Sequence, residues 1–489
     1  MVTGEQPMRP AIQAARCAQT LRLVLEMAIG LTLAQAQVLP VQAQGPPWIA
    51  RALPSLHEFQ SSNGVASVVL EAREQTVQID RITIEAMTYN GDYAGPVIRV
   101  HPGDLLKVRL INHLHEPTNI HFHGYQGSPL GASDNMHILV NPGETFDYAV
   151  TIPLTQPPGL YWFHSHMHHE AERQVMRGLS GTLIVEGLTD QFPALKGITE
   201  RLLVFKEDRL ESSDDEFVDQ YLHRYIRTMS GAIFSQIEMR PGETQLWRIA
   251  NEGADQPLRL VLKGHTFRII GRDGSATTRE TVTDELQIDP AGRVDALVDA
   301  GAAGTYELSS PGVHTGKGKV RPLGLVEVRG LPATGIPTQE AFPVTPDLRT
   351  AKIDATRTVV MTQNPSEGEY YLDGKLFNHA RVDTRVPLGN VEEWLIRNDT
   401  NDYHTFHIHQ VSFQVVEING MAASFEGRRD TIEVPVHGTI KIRMAFSDPL
   451  IVGEFMYHCH ILEHEDKGMM ANIEVYDPAL EPAGHAPDH

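Results

Sequence analysis

One segment layout occurs three times along this chain and constrains its fold more than any other feature. "VHPGDLLKVRLIN" ends at Asn112, "MRPGETQLWRIAN" at Asn251 and "VPLGNVEEWLIRN" at Asn398. Each copy has a glycine-containing turn, then alternating apolar and polar residues, then a closing asparagine. Alternation puts successive side chains on opposite faces of a strand, so each copy predicts a strand with one buried and one open face. Other short β-branched segments bounded by Gly, Pro and Asp, such as "FDYAVTIP", "GTLIVEG" and "IKIRMAFS", extend the pattern, and long helical periodicity is scarce. The chain has 489 residues, room for two to four domains. An all-β protein of three related β-sandwich domains is therefore expected.

Beyond the repeated strand the three copies diverge. The first and third continue into "NIHFHG" and "HTFHIHQ", whereas the second runs on as "QPLRLVLKG". Further along, "PGLYWFHSH" and "GEFMYHCH" again correspond between the first and third units. Four His-x-His pairs result: His121/His123, His164/His166, His407/His409 and His458/His460. Residues i and i+2 of a strand share a face, so each pair offers two imidazoles side by side. Neutral imidazole suits copper, zinc, iron or nickel. Eight imidazoles are too many for one ion, which predicts a multinuclear cluster built by the outer domains alone.

Cys459 stands between His458 and His460, while the other cysteine, Cys17, lies near the N-terminus. If the two histidines share one face, Cys459 points to the other and serves a separate metal. His404 precedes His407 by an odd number of residues and faces away from the cluster by the same parity. His464 follows Cys459 by five residues and Met469 follows by five more, in a loop expected to curl back. Two His, one Cys thiolate and a weak axial Met make a trigonal blue-copper electron-transfer site. Met470 is the rival for the axial position.

Lys plus Arg number 41 against 62 for Asp plus Glu, a formal charge of −21, which argues against a nucleic-acid or anionic-membrane partner. Arg9, Arg16 and Arg22 precede the apolar "LVLEMAIGLTLA" and small-residue sites ending at Ala36 and Ala43. Residues 1–43 therefore read as an export leader, too short and interrupted for a membrane span, which places the mature protein in the periplasm or outside the cell. Such a compartment is oxidising, yet Cys459 has no disulfide partner there. The expected division is a first domain over 50–188, a ligand-free second over 189–330, a Pro-rich linker over 331–346, a third domain over 347–480 and a tail over 481–489.

These residues resemble the multicopper oxidases, the laccase-like family of three cupredoxin domains, over nearly the whole mature chain. The most specific piece is "HCHILEHEDKGMM", ending at Met470. The resemblance implies three Greek-key cupredoxin β-sandwiches and four coppers per chain. His404, Cys459 and His464, with axial Met469, would hold the type 1 copper. His121 and His407 would hold the type 2 copper, and His123, His164, His166, His409, His458 and His460 the type 3 pair. It further implies one-electron oxidation of phenols or aromatic amines coupled to four-electron reduction of dioxygen to water. An axial Met favours a lower type 1 potential and easy oxidation of electron-rich phenols. Asp134 and Glu465 resemble the family's acids near the cluster and are expected to donate protons.

This sequence departs from many relatives at Thr405, where they carry Pro, and at Gln410, where they carry Gly. His168 and His169 are expected to be loop histidines rather than further ligands. A metallo-oxidase of Cu(I), Fe(II) or Mn(II) is the main alternative, with Asp399 and Asp402 as candidate cation-binding groups, although the 15 methionines form no run. Copper nitrite reductase needs fewer histidines, and a non-enzymatic copper-binding cupredoxin typically lacks some ligands. Dioxygen and a small-molecule or metal-ion reductant are the expected partners; the sequence does not fix the oligomeric state, with a monomer favoured.

Overall fold

The computed structural model describes residues 50–210, 225–311, 320–339 and 341–480. The expected leader, Cys17 and the tail over 481–489 lie outside the described residues. Within them the regular elements are strands, apart from short helical turns and the helices Ala171–Met176 and Leu462–Asp466. Among the described residues no helix is long and apolar enough to cross a membrane.

The repeated segments form equivalent strands, Leu105–Asn112, Thr244–Asn251 and Val391–Asn398. Each runs parallel to the strand that precedes it in its sheet and antiparallel to one that comes later in the chain. The closing asparagine does the same work in each copy. The amides of Asn112, Asn251 and Asn398 donate to Glu116 O, Gln256 O and Asp402 O at 2.8, 3.0 and 2.8 Å, and again to carbonyls of a distant strand or loop. Their Oδ1 atoms accept the N–H of the residue two positions on. Side-chain amides thus satisfy main-chain groups where each strand turns away from its ladder.

Each copy belongs to a pair of facing sheets. The first unit packs a four-stranded on a five-stranded sheet, the middle unit two six-stranded sheets, and the third a six- on a five-stranded sheet. Three separate apolar cores lie between the sheets, around Phe122 and Tyr148, Trp247 and Ile249, and Trp394 and Ile442. The first and third repeats alternate in burial as expected, but every residue of Thr244–Asn251 is buried. Its polar positions are covered too: Arg248, 1% exposed, lies 2.8 Å from Glu200 on the adjacent strand of the same sheet.

Lys206 joins the middle unit to the strand that backs the first unit's histidines. Its Nζ donates to Gly178 O and Ser180 O at 3.2 and 3.0 Å and lies 3.9 Å from Glu252. All of this is buried, so removing the charge strands Glu252 among groups that only partly satisfy it. Lys206→Met is expected to lower the unfolding free energy of the metal-free protein by about 3 kcal/mol in a urea titration.

Candidate metal centre

The histidine pairs sit where the five-stranded sheets of the first and third units end. The edge strand His121–His123 pairs with Gly159–His164, setting His121 opposite His164. The strand His404–Ile408 pairs with Gly453–Cys459, setting His407 opposite His458 and Phe406 opposite Cys459. Only the first pair lies wholly within a strand; the others run off strand ends at His166, His409 and His460. The shared face persists nonetheless, with ring centroids 5.7, 6.0, 5.1 and 5.3 Å apart within the four pairs.

The two units interleave their rings. His121 stacks on His409 and His123 on His407, each with centroids 3.8 Å apart. His458 Nε2 lies 3.3 Å from His166 Nε2 and 3.1 Å from His409 Nε2, so three nitrogens meet at one point. All eight imidazoles are buried.

Five of the eight direct one nitrogen outward. His121 Nδ1 donates to Asp134 Oδ1 at 3.0 Å, His164 Nδ1 to Ser165 O at 2.9 Å, His407 Nδ1 to Asp430 O at 2.7 Å and His458 Nδ1 to Cys459 O at 3.2 Å. His123 is turned over, with Nε2 donating to Asp430 Oδ1 at 3.2 Å. The opposite nitrogens of His121, His164, His407 and His123 are buried without any hydrogen-bond partner among the described residues. Buried polar atoms are rarely left so, and an outward hydrogen bond that fixes the tautomer of an inward bare nitrogen is the arrangement of a metal ligand. These residues fit metal ions.

Burial, with crowding by neighbouring imidazoles, keeps the rings neutral: His164 and His166 fall to about 3 and His458 to about 4, against an ordinary 6.5. Neutral imidazole is the ligating form. In the unfolded chain these groups protonate below about 6.5, whereas the metal-free native state resists until far lower pH. Their contribution to stability is thus present above about 6.5 and lost as pH falls toward 3. The melting temperature of the metal-free protein is expected to drop steadily between about pH 6.5 and 4.5; a flat profile would contradict this reading.

On the opposite face of the strand Gly453–Cys459, Cys459 Sγ lies 3.5 Å from His404 Nδ1 and 3.7 Å from His464 Nδ1, which are themselves 3.0 Å apart. His464 comes from the five-residue helix Leu462–Asp466 rather than a loop, and that turn swings its ring back to the sulfur. So short a helix carries too little periodicity to be read from sequence. Met469 shares the apolar core of Cys459, while Met470 packs with Met136 and Met456 in a separate cluster. Register explains the difference, because Met470 stands opposite His458 and alternation sends Met469 to the face of Cys459. Burial pushes the Cys459 thiol up to about 12, so a cation is needed to hold the thiolate. Thiolate, two imidazoles and a nearby thioether are a donor set that fits copper. The Tyr370 ring stacks on His464, centroids 4.1 Å apart and 18° from parallel.

The expected proton donors both lie against the cluster. Asp134 is fully buried, bonded to His121, to Phe122 N at 2.9 Å and to the Gln410 amide at 2.6 Å. Burial raises its carboxyl to about 7 against these opposing bonds. Glu465 lies 2.9 Å from His458 Nδ1 and 3.5 Å from His166 Nε2, with neither oxygen in an aligned hydrogen bond, and burial raises it to about 7. Gln410 has φ +52°, a left-handed backbone that glycine adopts most readily. Here the glutamine tolerates the left-handed backbone and uses its side chain to hold Asp134.

Sequence reasoning missed Asp430, which contacts two cluster histidines, and Asp466, whose Oδ1 and Oδ2 accept Ala171 N and Glu172 N at 3.2 and 2.8 Å. Asp466 thereby caps a first-unit helix from the third unit. Neither lies in a histidine pair, so neither carried a signal. His168 lies tilted against Phe377, and His169 Nδ1 bonds to Asp466 O.

Models of multicopper oxidase domains match residues 71–190, 205–323 and 345–479. The chain is 25% identical over 439 residues to a multicopper oxidase, mco, of Staphylococcus aureus, covering 85% of this chain and 90% of that one. A multicopper oxidase from Campylobacter jejuni, described as a metallo-oxidase, is 26% identical, with TM-score 0.73 over 88% of this chain and 96% of that one. A laccase from Pediococcus acidilactici is 26% identical, with TM-score 0.76 over 88% of this chain and 95% of that one. Matched by these models along most of its length and carrying a donor set that fits copper, the chain belongs to the multicopper oxidases, copper-dependent oxidoreductases that use dioxygen.

Proposed function

We propose that this chain is an exported, laccase-like oxidase that takes single electrons from phenols or aromatic amines. Its three cupredoxin domains span 50–188, 189–330 and 347–480. His404, Cys459, His464 and axial Met469 bind the type 1 copper. His121 and His407 bind the type 2 copper, and His123, His164, His166, His409, His458 and His460 the type 3 pair. Four bound coppers would supply the one-electron redox capacity that reduction of dioxygen to two waters requires.

The protein's own residues do the rest. Cys459 lies between His458 and His460 in the chain, and the His458 Nδ1–H bond to Cys459 O adds a second link between the centres. Buried Trp162, stacked on His164 at 4.2 Å, walls the cluster from solvent. Asp134 holds its proton beside His121, and Glu465 beside His166 and His458, where oxygen reduction consumes protons.

The observation that carries the donor class is Tyr370 lying flat on His464, which gives the type 1 edge an aromatic face. Asp399, a candidate cation ligand, is instead engaged by Arg397 at 2.9 Å. Oxidation of Cu(I), Fe(II) or Mn(II) is the second reading, favoured by the likeness to the Campylobacter metallo-oxidase. Oxygen uptake by copper-loaded protein with a dimethoxyphenol, Cu(I), Fe(II) or Mn(II) as donor decides between them. Fastest uptake with the phenol, at four donor electrons per dioxygen, is expected. Fastest uptake with a metal ion would replace this reading with the second.

A further inference from the structure

The middle unit supplies none of the candidate ligands, yet one of its residues reaches the cluster. Arg293 opens the strand Arg293–Asp299 and is 1% exposed. Its Nη1 and Nη2 donate to Asp430 Oδ1 and Oδ2 at 2.8 and 2.5 Å, a two-pronged pair with the third unit. Nε donates to Leu160 O of the first unit at 3.3 Å, and Nη1 to Ala291 O at 2.8 Å. One guanidinium therefore ties three units together.

Asp430 is where this tie meets the imidazoles. Its Oδ1 accepts His123 Nε2–H at 3.2 Å, and its main-chain oxygen accepts His407 Nδ1–H at 2.7 Å. The bond that turns His123 over and the bond that anchors His407 end on the same residue. Little slack surrounds it: a Cβ at Gly124 would lie 2.7 Å from Asp430 Oδ2 and 3.0 Å from Arg293 Nη2.

We infer that Arg293 is a positioning residue for the copper cluster, through which the ligand-free middle domain sets the nitrogen that His123 presents and the seat of His407. The inference rests on the ligand assignment proposed above. A carboxylate gripped by a planar fork is fixed in rotation, so Oδ1, which also accepts Thr431 Oγ1–H at 2.9 Å, stays facing His123 Nε2–H. With that proton held outward, His123 Nδ1 is left bare toward the cluster. Lysine supplies the charge without the fork and leaves the carboxylate free to rotate.

An ordinary interdomain ion pair would give the same contacts between units with no effect on the ligands. Arg429 provides that comparison, because it bonds Asp273 Oδ2 at 3.1 Å across the same boundary and, among the described residues, has no hydrogen bond to an imidazole. Copper-loaded wild type, R293K, R293M and R429M should be compared by chelator competition and by the electron paramagnetic resonance of the type 2 copper. Melting of the metal-free forms accompanies both.

R293M and R293K are expected to release cluster copper about 10- to 100-fold more readily and to show an altered type 2 signal. R429M is expected to match wild type in both, whatever its loss of melting temperature. Wild-type retention and an unchanged signal in R293M overturn the inference, as does an equal copper loss in R429M. If R293M does not fold, R293K decides alone: an unchanged signal and retention there overturn the inference too. Wild-type protein that binds no cluster copper would instead sink the ligand assignment on which the inference stands.

Discussion

Copper-loaded Cys459→Ser protein is expected to carry about three copper ions per chain instead of about four, to lose the intense blue absorption of a thiolate-bound copper, and to consume no oxygen with any outer-sphere donor. Serine nearly preserves the volume of a fully buried side chain, so the third core should stay intact. His404 and His464 remain close together but lack the soft anionic donor that completes the site. The eight imidazoles on the other face are untouched by the change and should still load. Metal analysis, the visible spectrum and oxygen uptake check the three parts separately. A surviving blue band, or turnover near that of wild type, would place the type 1 site elsewhere.

Asp134→Asn is the second large effect: turnover should fall about 10²- to 10³-fold, with the KM of the reducing donor unchanged. The amide keeps the shape and can still accept His121 Nδ1–H, so cluster copper should be retained. It has no proton to release, and the Gln410 amide that faces Asp134 Oδ2 must rotate to offer its carbonyl instead. The measurement is steady-state oxygen uptake against donor concentration, alongside copper content. Turnover within about twofold of wild type would reduce Asp134 to a residue that merely orients His121.

Much of this architecture was legible because two periodicities are simple. The repeated strand announced itself by alternation and by Asn112, Asn251 and Asn398, whose side chains make matching bonds in all three units. Parity separated His407, His458 and His460 from His404 and Cys459, and the strand pairing sets His407 opposite His458 and Phe406 opposite Cys459. Contacts between residues distant in sequence left no such trace. Arg293 and Asp430 meet only because separate units fold against each other. Nothing distinguishes that arginine from any other in a strand until its partner is known. Gln410 had drawn notice only as an absent glycine, and its bond to Asp134 depends on a neighbour 276 positions away.

The pleat of the strand Gly453–Cys459 behaves as a reading frame. His458 faces the imidazole cluster and Cys459 faces His404 and His464 because successive side chains point to opposite sides of the sheet. Point substitutions along Phe455, Met456 and Tyr457 change packing but preserve the frame. Adding or deleting a single residue there, with the upstream pairing kept, would exchange faces, sending the thiol toward the imidazole cluster and an imidazole into the apolar core. Two adjacent residues would thus encode both the separation of the two proposed redox centres and their connection, and a change of length at this strand would undo both where point substitutions would not.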